Sequence, residues 1–233
     1  MQNPIIAALD VPHFEKANSL INDIGGQVGA FKIGMELFTA VGPRMIHDIR
    51  QRETPVFLDL KFHDIPNTVR KAVSAAVRLD VQMLTIHTHG GLEMMKAAES
   101  AAQETAASLD KAPPLVLGVS VLTSMDQSDL QSIGITTALP DQVLRVIELG
   151  LQAGLRGFVC SPLEIDPLRR ILPPETKLVT PGIRMATDAL ADQKRILSPQ
   201  QAMAKGADYL VIGRPIYAAP APREALNQIL ATL

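Results

Sequence analysis

The sequence is poor in aromatic residues, which make up 3% of its 233 residues, and it has no tryptophan. Its core must therefore be aliphatic, and few side chains are available to stack on single-stranded nucleic acid. The formal net charge is −2, and no block of basic residues occurs. A nucleic acid or another polyanion is therefore not expected as a partner.

Cysteine and long apolar runs are also scarce. Cys160 is the single cysteine, so no intrachain disulfide can form. We interpret it as a small buried residue, because no histidine lies near it in the sequence to activate a nucleophile. No apolar run approaches the ~20 residues that span a bilayer, and no basic-then-apolar signal segment precedes the first strand-like run. We therefore expect a cytoplasmic protein that does not bind membranes.

Short apolar, β-branched runs alternate with longer amphipathic segments along the whole chain. The predicted strands are residues 5–10, 30–35, 56–62, 83–89, 115–122, 157–161, 177–181 and 209–213. The predicted helices are residues 13–24, 36–52, 67–79, 91–107, 140–153, 162–171, 188–205 and 223–233. Strict alternation indicates an α/β protein with a parallel sheet, and eight such units fit a single closed (β/α)₈ TIM barrel. An open, doubly wound sheet is the alternative. No linker-like stretch divides the chain, so we expect residues 1–233 to form one domain.

Polar residues are concentrated where the predicted strands end, which is where barrel enzymes carry their active sites. Asp59 and Lys61 share one face of the third strand if side chains alternate, and Asp64 follows just beyond it. Opposite charges on an interior strand are costly unless they pair. The cluster is typical of acid–base chemistry, although an ion-pair network that only joins two strands is the simpler interpretation.

Glycine and arginine follow the last two predicted strands. Gly182 and Arg184 come after the seventh strand, and Gly213 and Arg214 after the eighth. Barrels often bind phosphate at this place, because glycine lets backbone N–H groups approach the anion and arginine supplies a two-pronged donor. The alternative is an ordinary turn glycine with solvated arginines.

Two histidines end the fourth predicted strand. His87 and His89 would share a face there and could ligate zinc with a nearby carboxylate. The neighbouring ammonium groups of Lys32 and Lys61 oppose a bound cation. A hydrogen-bonded interior His87 is therefore the favoured interpretation.

Seven segments, in order along the whole chain, resemble the orotidine 5′-phosphate decarboxylase family. They are residues 8–10 (ALD), 32–34 (KIG), 59–68 (DLKFHDIPNT), 121–124 (VLTS), 179–184 (VTPGIR), 192–195 (DQKR) and 210–216 (LVIGRPI). The 59–68 segment together with both phosphate-end segments is highly specific. Residues 185–192 depart from the resemblance, because they lack the proline and glycine expected in the mobile loop of the family.

The resemblance implies a homodimeric barrel enzyme with shared active sites that converts orotidine 5′-monophosphate to UMP and carbon dioxide, the last step of de novo pyrimidine nucleotide synthesis. It implies neither a metal nor a cofactor. The implied catalytic network is Lys32, Asp59, Lys61 and Asp64, with Asp64 contributed by the partner subunit. The implied substrate contacts, beyond Lys32 and Asp59, are Asp10 and Thr68 (the latter from the partner subunit) for the ribose, Thr123 for the pyrimidine, and Arg184, Gln193, Gly213 and Arg214 for the phosphate.

Loss of carbon dioxide from C6 of a pyrimidine leaves an sp² carbanion that the ring cannot delocalise. A cation and a proton donor at that carbon would stabilise and then quench it, and Lys61 can be both. Asp59 and Asp64 would favour the protonated form of Lys61. Two alternatives stay open: a magnesium-dependent sugar-phosphate decarboxylase such as a keto-gulonate-phosphate decarboxylase, and a non-catalytic nucleotide-binding barrel. The first would need a metal-binding glutamate on strand 2, where this chain has Lys32.

Overall fold

In a computed structural model that describes residues 3–184 and 197–233, the strands form a closed parallel barrel. They are β1 (Ile5–Ala8), β2 (Ala30–Gly34), β3 (Val56–Phe62), β4 (Met83–His87), β5 (Leu115–Val119), β6 (Gly157–Val159), β7 (Lys177–Thr180) and β8 (Tyr209–Ile212). Each strand pairs with the next, and β1 pairs with β8. The predicted (β/α)₈ barrel is confirmed, and the alternative of an open sheet is wrong.

Strand alternation divides the core into two layers. Ile6 and Ala8 of β1 point into the barrel, where they pack with Phe57 and other apolar side chains. Ile5 and Ala7 point outward and pack under the helices in the larger cluster. Both layers are aliphatic with a few phenylalanines, as the composition predicts.

The helices surround the barrel and come from segments with an apolar stripe. In the described residues they are α1 (Phe14–Ile24), α2 (Met35–Val41), α3 (Arg44–Arg50), α4 (Pro66–Arg78), α5 (Leu92–Ser108), α6 (Gln127–Ser132), α7 (Leu139–Gln152), α8 (Ile165–Arg169), α9 (Pro199–Ala204), α10 (Arg214–Tyr217) and α11 (Pro222–Leu230). The same described residues contain three short 3₁₀ helices, at Gly25–Gln27, Thr88–Gly90 and Pro162–Glu164. None of the helices in these described ranges is long and apolar enough to cross a membrane.

One segment predicted as a single helix forms two helices. Residues 36–52 were expected to form a single helix, but α2 ends at Val41 and α3 begins at Arg44. Gly42 between them has φ 71, a left-handed conformation that ends a helix, and Pro43 has no N–H for a helical hydrogen bond. The predicted helix 188–205 lies partly outside the described residues, and its described part contains α9.

Most strands end one to three residues earlier than predicted, because regular pairing with the neighbouring strands stops before the apolar run in the sequence does. The fifth strand, for example, ends at Val119 rather than Leu122. The fourth ends at His87, and His89 belongs to the 3₁₀ turn that follows. The premise that His87 and His89 share one strand face is therefore wrong.

Candidate active site

The carboxyl ends of the strands enclose a cavity of about 470 Å³. Among the residues that line it are nine that the sequence analysis singled out: Asp10, Lys32, Asp59, Lys61, Thr123, Gly182, Arg184, Gly213 and Arg214. Five strands, or the loops that follow them, therefore bring the predicted catalytic charges and the predicted phosphate-binding arginines together in one cavity. This is the end of the barrel at which such folds carry chemistry.

Lys32 lies between two carboxylates that also line the cavity. Its Nζ is 2.9 Å from Asp10 Oδ1 and 3.5 Å from Asp59 Oδ2. The residue is only 8% exposed, so its charge depends on these partners rather than on water. Gly34 follows in β2, and a Cβ there would come within 3.0 Å of Lys32 Nζ. A glycine thus leaves room for the ammonium group.

Lys61 extends the same row of charges. Its Nζ lies 2.8 Å from Asp59 Oδ1, so the two side chains meet as the sequence predicted. The contact does not come from a regular strand, however, because Lys61 has φ 51 and the pairing of β3 with β4 shifts register between Leu58 and Phe62. The strand is irregular at the point where it carries the charged residues.

Lys32 and Asp59 each stabilise the charged form of the other. Burial alone would lower the pKa of Lys32, but the carboxylates of Asp59 and Asp10 outweigh it and raise that pKa above its usual 10.5. Burial would raise the pKa of Asp59, but Lys32, Lys61 and a hydrogen bond from Thr85 hold it below its usual 3.8. Both groups are therefore ionised at neutral pH.

Asp64 and Thr68 lie apart from this row. Both are exposed, and the Asp64 carboxylate accepts a hydrogen bond from the backbone N–H of Ile65 at 2.7 Å. Ile65 itself is 66% exposed, which is unusual for a residue of its size. Neither Asp64 nor Thr68 is among the described residues that line the cavity.

The described residues predicted to bind phosphate line the same cavity. Gly182 has φ 79, which favours glycine, and leads into Arg184, whose backbone is fixed by a hydrogen bond from its N–H to Leu197 O at 3.1 Å. Gly213 precedes Arg214 at the start of α10. Gln193, the remaining predicted phosphate contact, lies outside the described residues.

Sequence reasoning missed two residues of the site. Tyr217 on α10 lines the cavity, and burial together with the negative charge of Asp10 raises the pKa of its hydroxyl. Thr85 on β4 donates a hydrogen bond to Asp59 Oδ1 at 3.0 Å. A hydroxyl between the apolar residues Leu84 and Ile86 was the available signal for Thr85, whereas nothing in the sequence distinguished Tyr217.

The histidines lie beside this site. His87 is half-buried with its ring centroid 5.4 Å from that of His63, and His89 is exposed with its Nε2 3.4 Å from Gln142 Nε2. Burial and the positive charges of His63 and Lys61 lower the pKa of His87 to about 4. The ring is therefore neutral at pH 7. Cys160 is buried, as predicted, and also lines the cavity.

A closed parallel barrel with its charged residues at the carboxyl ends of the strands is the arrangement of (β/α)₈ barrel enzymes. The family model of orotidine 5′-phosphate decarboxylase / HUMPS matches residues 3–229, and the chain belongs to that family.

Individual relatives agree over the full length of the chain. The orotidine 5′-phosphate decarboxylase of Paramagnetospirillum magneticum is 48% identical over 100% of this chain and 99% of its own length. That of Nitrosococcus oceani is 50% identical over 98% of this chain and 97% of its own. The crystal structure of orotidine 5′-phosphate decarboxylase from Lactobacillus acidophilus superimposes with a TM-score of 0.87 at 32% identity, and covers 99% of both chains. These relatives are carboxy-lyases, and the resemblance drawn from the sequence is confirmed at the level of the family.

Proposed function

We propose that this protein decarboxylates orotidine 5′-monophosphate to UMP and carbon dioxide, the last step of de novo pyrimidine nucleotide synthesis. The observation that carries the proposal is the unbroken row Asp10–Lys32–Asp59–Lys61 in a cavity that also holds Arg184 and Arg214. A substrate with a phosphate at one end and a reacting carboxylate at the other matches this distribution of charge. The names of the relatives support the same reaction.

Lys61 is the proposed catalytic acid. As carbon dioxide leaves C6, the electron pair of the broken C–C bond stays on the ring carbon, and an ammonium group beside it stabilises that charge. The same group then donates a proton to C6 and gives UMP. Asp59 holds the ammonium group at 2.8 Å, and Lys32 balances the charge of Asp59.

Asp59 has a second proposed role. Its carboxylate is ionised and fixed by Lys32, Lys61 and Thr85, so it cannot move away from an incoming anion. The carboxylate of the substrate would be repelled there, whereas the carbanion, next to Lys61, would be stabilised. This raises the ground state relative to the transition state, and the energy comes from binding elsewhere on the substrate.

The phosphate supplies that binding energy in the proposal. Arg184 and Arg214 would form charge-assisted hydrogen bonds with its oxygens, and the backbone at Gly182 and Gly213 permits close approach. Gln193 is proposed as a further phosphate contact, Asp10 as a ribose contact and Thr123 as a pyrimidine contact.

We propose that two subunits share their active sites in a homodimer. Asp64 and Thr68 are exposed beside Ile65, at the start of α4, and an isologous contact through this surface would complete two sites at once. Asp64 would then reach Lys61 of the partner subunit, and Thr68 the ribose. In the same proposal residues 1–233 act as one catalytic domain in the cytoplasm.

Two alternatives make different predictions. A magnesium-dependent sugar-phosphate decarboxylase needs a metal at strand 2, where the buried ammonium of Lys32 would repel it. A non-catalytic nucleotide-binding barrel would have no need for an ionised and fully paired Asp59. We therefore expect catalysis that needs neither a metal nor a cofactor.

The test is the loss of orotidine 5′-monophosphate absorbance with purified protein, with and without EDTA, and with chromatographic detection of UMP. Equal rates in both samples are expected. Activity that disappears with EDTA and returns with Mg²⁺ would favour the first alternative. Nucleotide binding without turnover would favour the second.

A further inference from the structure

Thr85 connects two parts of the charge row through one hydroxyl group. Its Oγ1 accepts a hydrogen bond from the backbone N–H of Lys61 at 2.9 Å and donates one to Asp59 Oδ1 at 3.0 Å. A backbone N–H can only donate and an ionised carboxylate can only accept, so the direction of the hydroxyl proton is fixed. The same Asp59 oxygen binds Lys61 Nζ at 2.8 Å.

The irregularity of β3 explains why a side chain is needed there. Leu58 pairs with Leu84 and Phe62 with Ile86, so β3 advances four residues over the distance in which β4 advances two. The extra residues, which include Asp59 and Lys61, interrupt the pairing of β3 with β4. Lys61 consequently adopts the left-handed conformation at φ 51, which is strained for a residue other than glycine and persists only where surrounding contacts hold it.

We propose that Thr85 is a positioning residue for this reaction, which holds the Lys61 backbone and the Asp59 carboxylate in one fixed arrangement. The inference rests on the function proposed above. Thr85 is fully buried at 0% exposure and cannot touch a molecule in the cavity. Its influence must therefore pass through Lys61 and Asp59, and it should affect turnover more than substrate binding.

The experiment compares Thr85→Val, which keeps the shape but removes both hydrogen bonds, with Thr85→Ser, which keeps the hydroxyl. Thr85→Val should lower kcat by at least about tenfold and change KM by less than about threefold, since a bond to a charged group is lost at the reacting centre. Thr85→Ser should retain kcat within about threefold. A role limited to joining β3 and β4 would lower stability without this separation of kcat from KM.

Thr88→Val is the matched control. Thr88 is equally buried and its hydroxyl donates to Val119 O at 2.8 Å, so the change removes a buried hydrogen bond close to the same strand end. We expect a loss of stability with kcat preserved. If Thr85→Val keeps kcat within about threefold of wild type while folded, the proposal is wrong. It is equally wrong if Thr85→Ser loses as much turnover as Thr85→Val.

A second pair of variants covers the case in which Thr85→Val does not fold. Thr85→Ser and Thr85→Cys have nearly the same shape, but a thiol is a much weaker hydrogen-bonding group. Serine should then exceed cysteine in kcat by at least about tenfold, and equal rates would overturn the proposal. The wild-type assay separates this outcome from failure of the proposed function: inactive wild-type protein would refute the function, whereas active wild type with an indifferent Thr85 would refute only the positioning role.

Discussion

Lys61 Nζ lies 2.8 Å from Asp59 Oδ1 although the Lys61 backbone is left-handed, with φ 51. A regular strand would also place both side chains on one face, but it would hold the Lys61 backbone in the ladder with β4. In the irregular geometry the backbone N–H of Lys61 instead donates a hydrogen bond to the hydroxyl of Thr85 on β4. Strain of this kind persists only where other contacts determine the conformation, and it is common in active sites.

Lys61→Ala should abolish nearly all turnover while the protein still binds UMP, because the ammonium group acts mainly as the carbanion forms. We expect kcat to fall at least about 100-fold, as when one charge-stabilising donor is lost. Steady-state kinetics and UMP titration measure the two effects. Lys16→Ala, on the exposed side of α1, is the control and should keep wild-type kinetics. Turnover above about a tenth of wild type in Lys61→Ala would contradict the proposed role.

Arg214→Ala should weaken the binding of the substrate phosphate and so lower the efficiency of the reaction. The lost charge-assisted hydrogen bonds are each worth about 1.5–3 kcal/mol, so kcat/KM for orotidine 5′-monophosphate should fall at least about tenfold. The nucleoside orotidine, which has no phosphate, should react equally with the variant and with wild type. Arg78→Ala, at an exposed arginine at the end of α4, serves as the control. Equal losses with both substrates would mean that Arg214 is structural.

The barrel was predictable because alternating strands and helices of these lengths have few ways to bury their apolar faces. The ends of the elements were less predictable. Val121 is apolar and looks like part of the fifth strand, yet it lines the cavity beyond the end of β5. The break at Gly42 and Pro43 could have been read from the sequence, whereas the contact of Thr85 with Asp59 depends on a register shift that alternation does not reveal.

His87 should make stability depend on pH. Its pKa is lowered from 6.5 to about 4 by burial and by the positive charges of His63, Lys61 and His89, against the opposing charge of Asp59. Its contribution to stability is fully present above pH 6.5. Between pH 6.5 and about pH 4 the imidazole of His87 becomes protonated in the unfolded chain but stays neutral in the folded protein. The free energy of unfolding therefore falls as the pH is lowered through this window.

Urea unfolding at pH 7 and pH 4.5 measures this effect. His87→Gln should reduce the difference between the two free energies of unfolding by about 1 kcal/mol, a value that allows for solvent screening around a half-buried ring. A smaller dependence should remain, because the pKa of His89 is also lowered. His47→Gln, at an exposed histidine on α3, is measured in parallel as the control for a histidine-to-glutamine change. An unchanged difference in His87→Gln would show that His87 does not resist protonation.

The shared active site can be tested by mixing two inactive variants. Asp64→Ala and Lys61→Ala should each be nearly inactive alone. If Asp64 acts on Lys61 of the partner subunit, each heterodimer has one site with both residues intact and one site with both lost. Random exchange of equal amounts gives about half heterodimers, so activity should approach roughly a quarter of wild type.

The control mixture is Asp59→Ala with Lys61→Ala. These two residues contact each other within one subunit at 2.8 Å, so every site in such a heterodimer keeps one lesion and no activity should return. Subunit exchange is followed independently by native mass spectrometry of differently labelled subunits. Recovery in the first mixture alone would establish that Asp64 acts across the interface. Proven exchange without recovery in either mixture would mean that Asp64 acts within its own subunit, which would require its exposed side chain to turn toward Lys61.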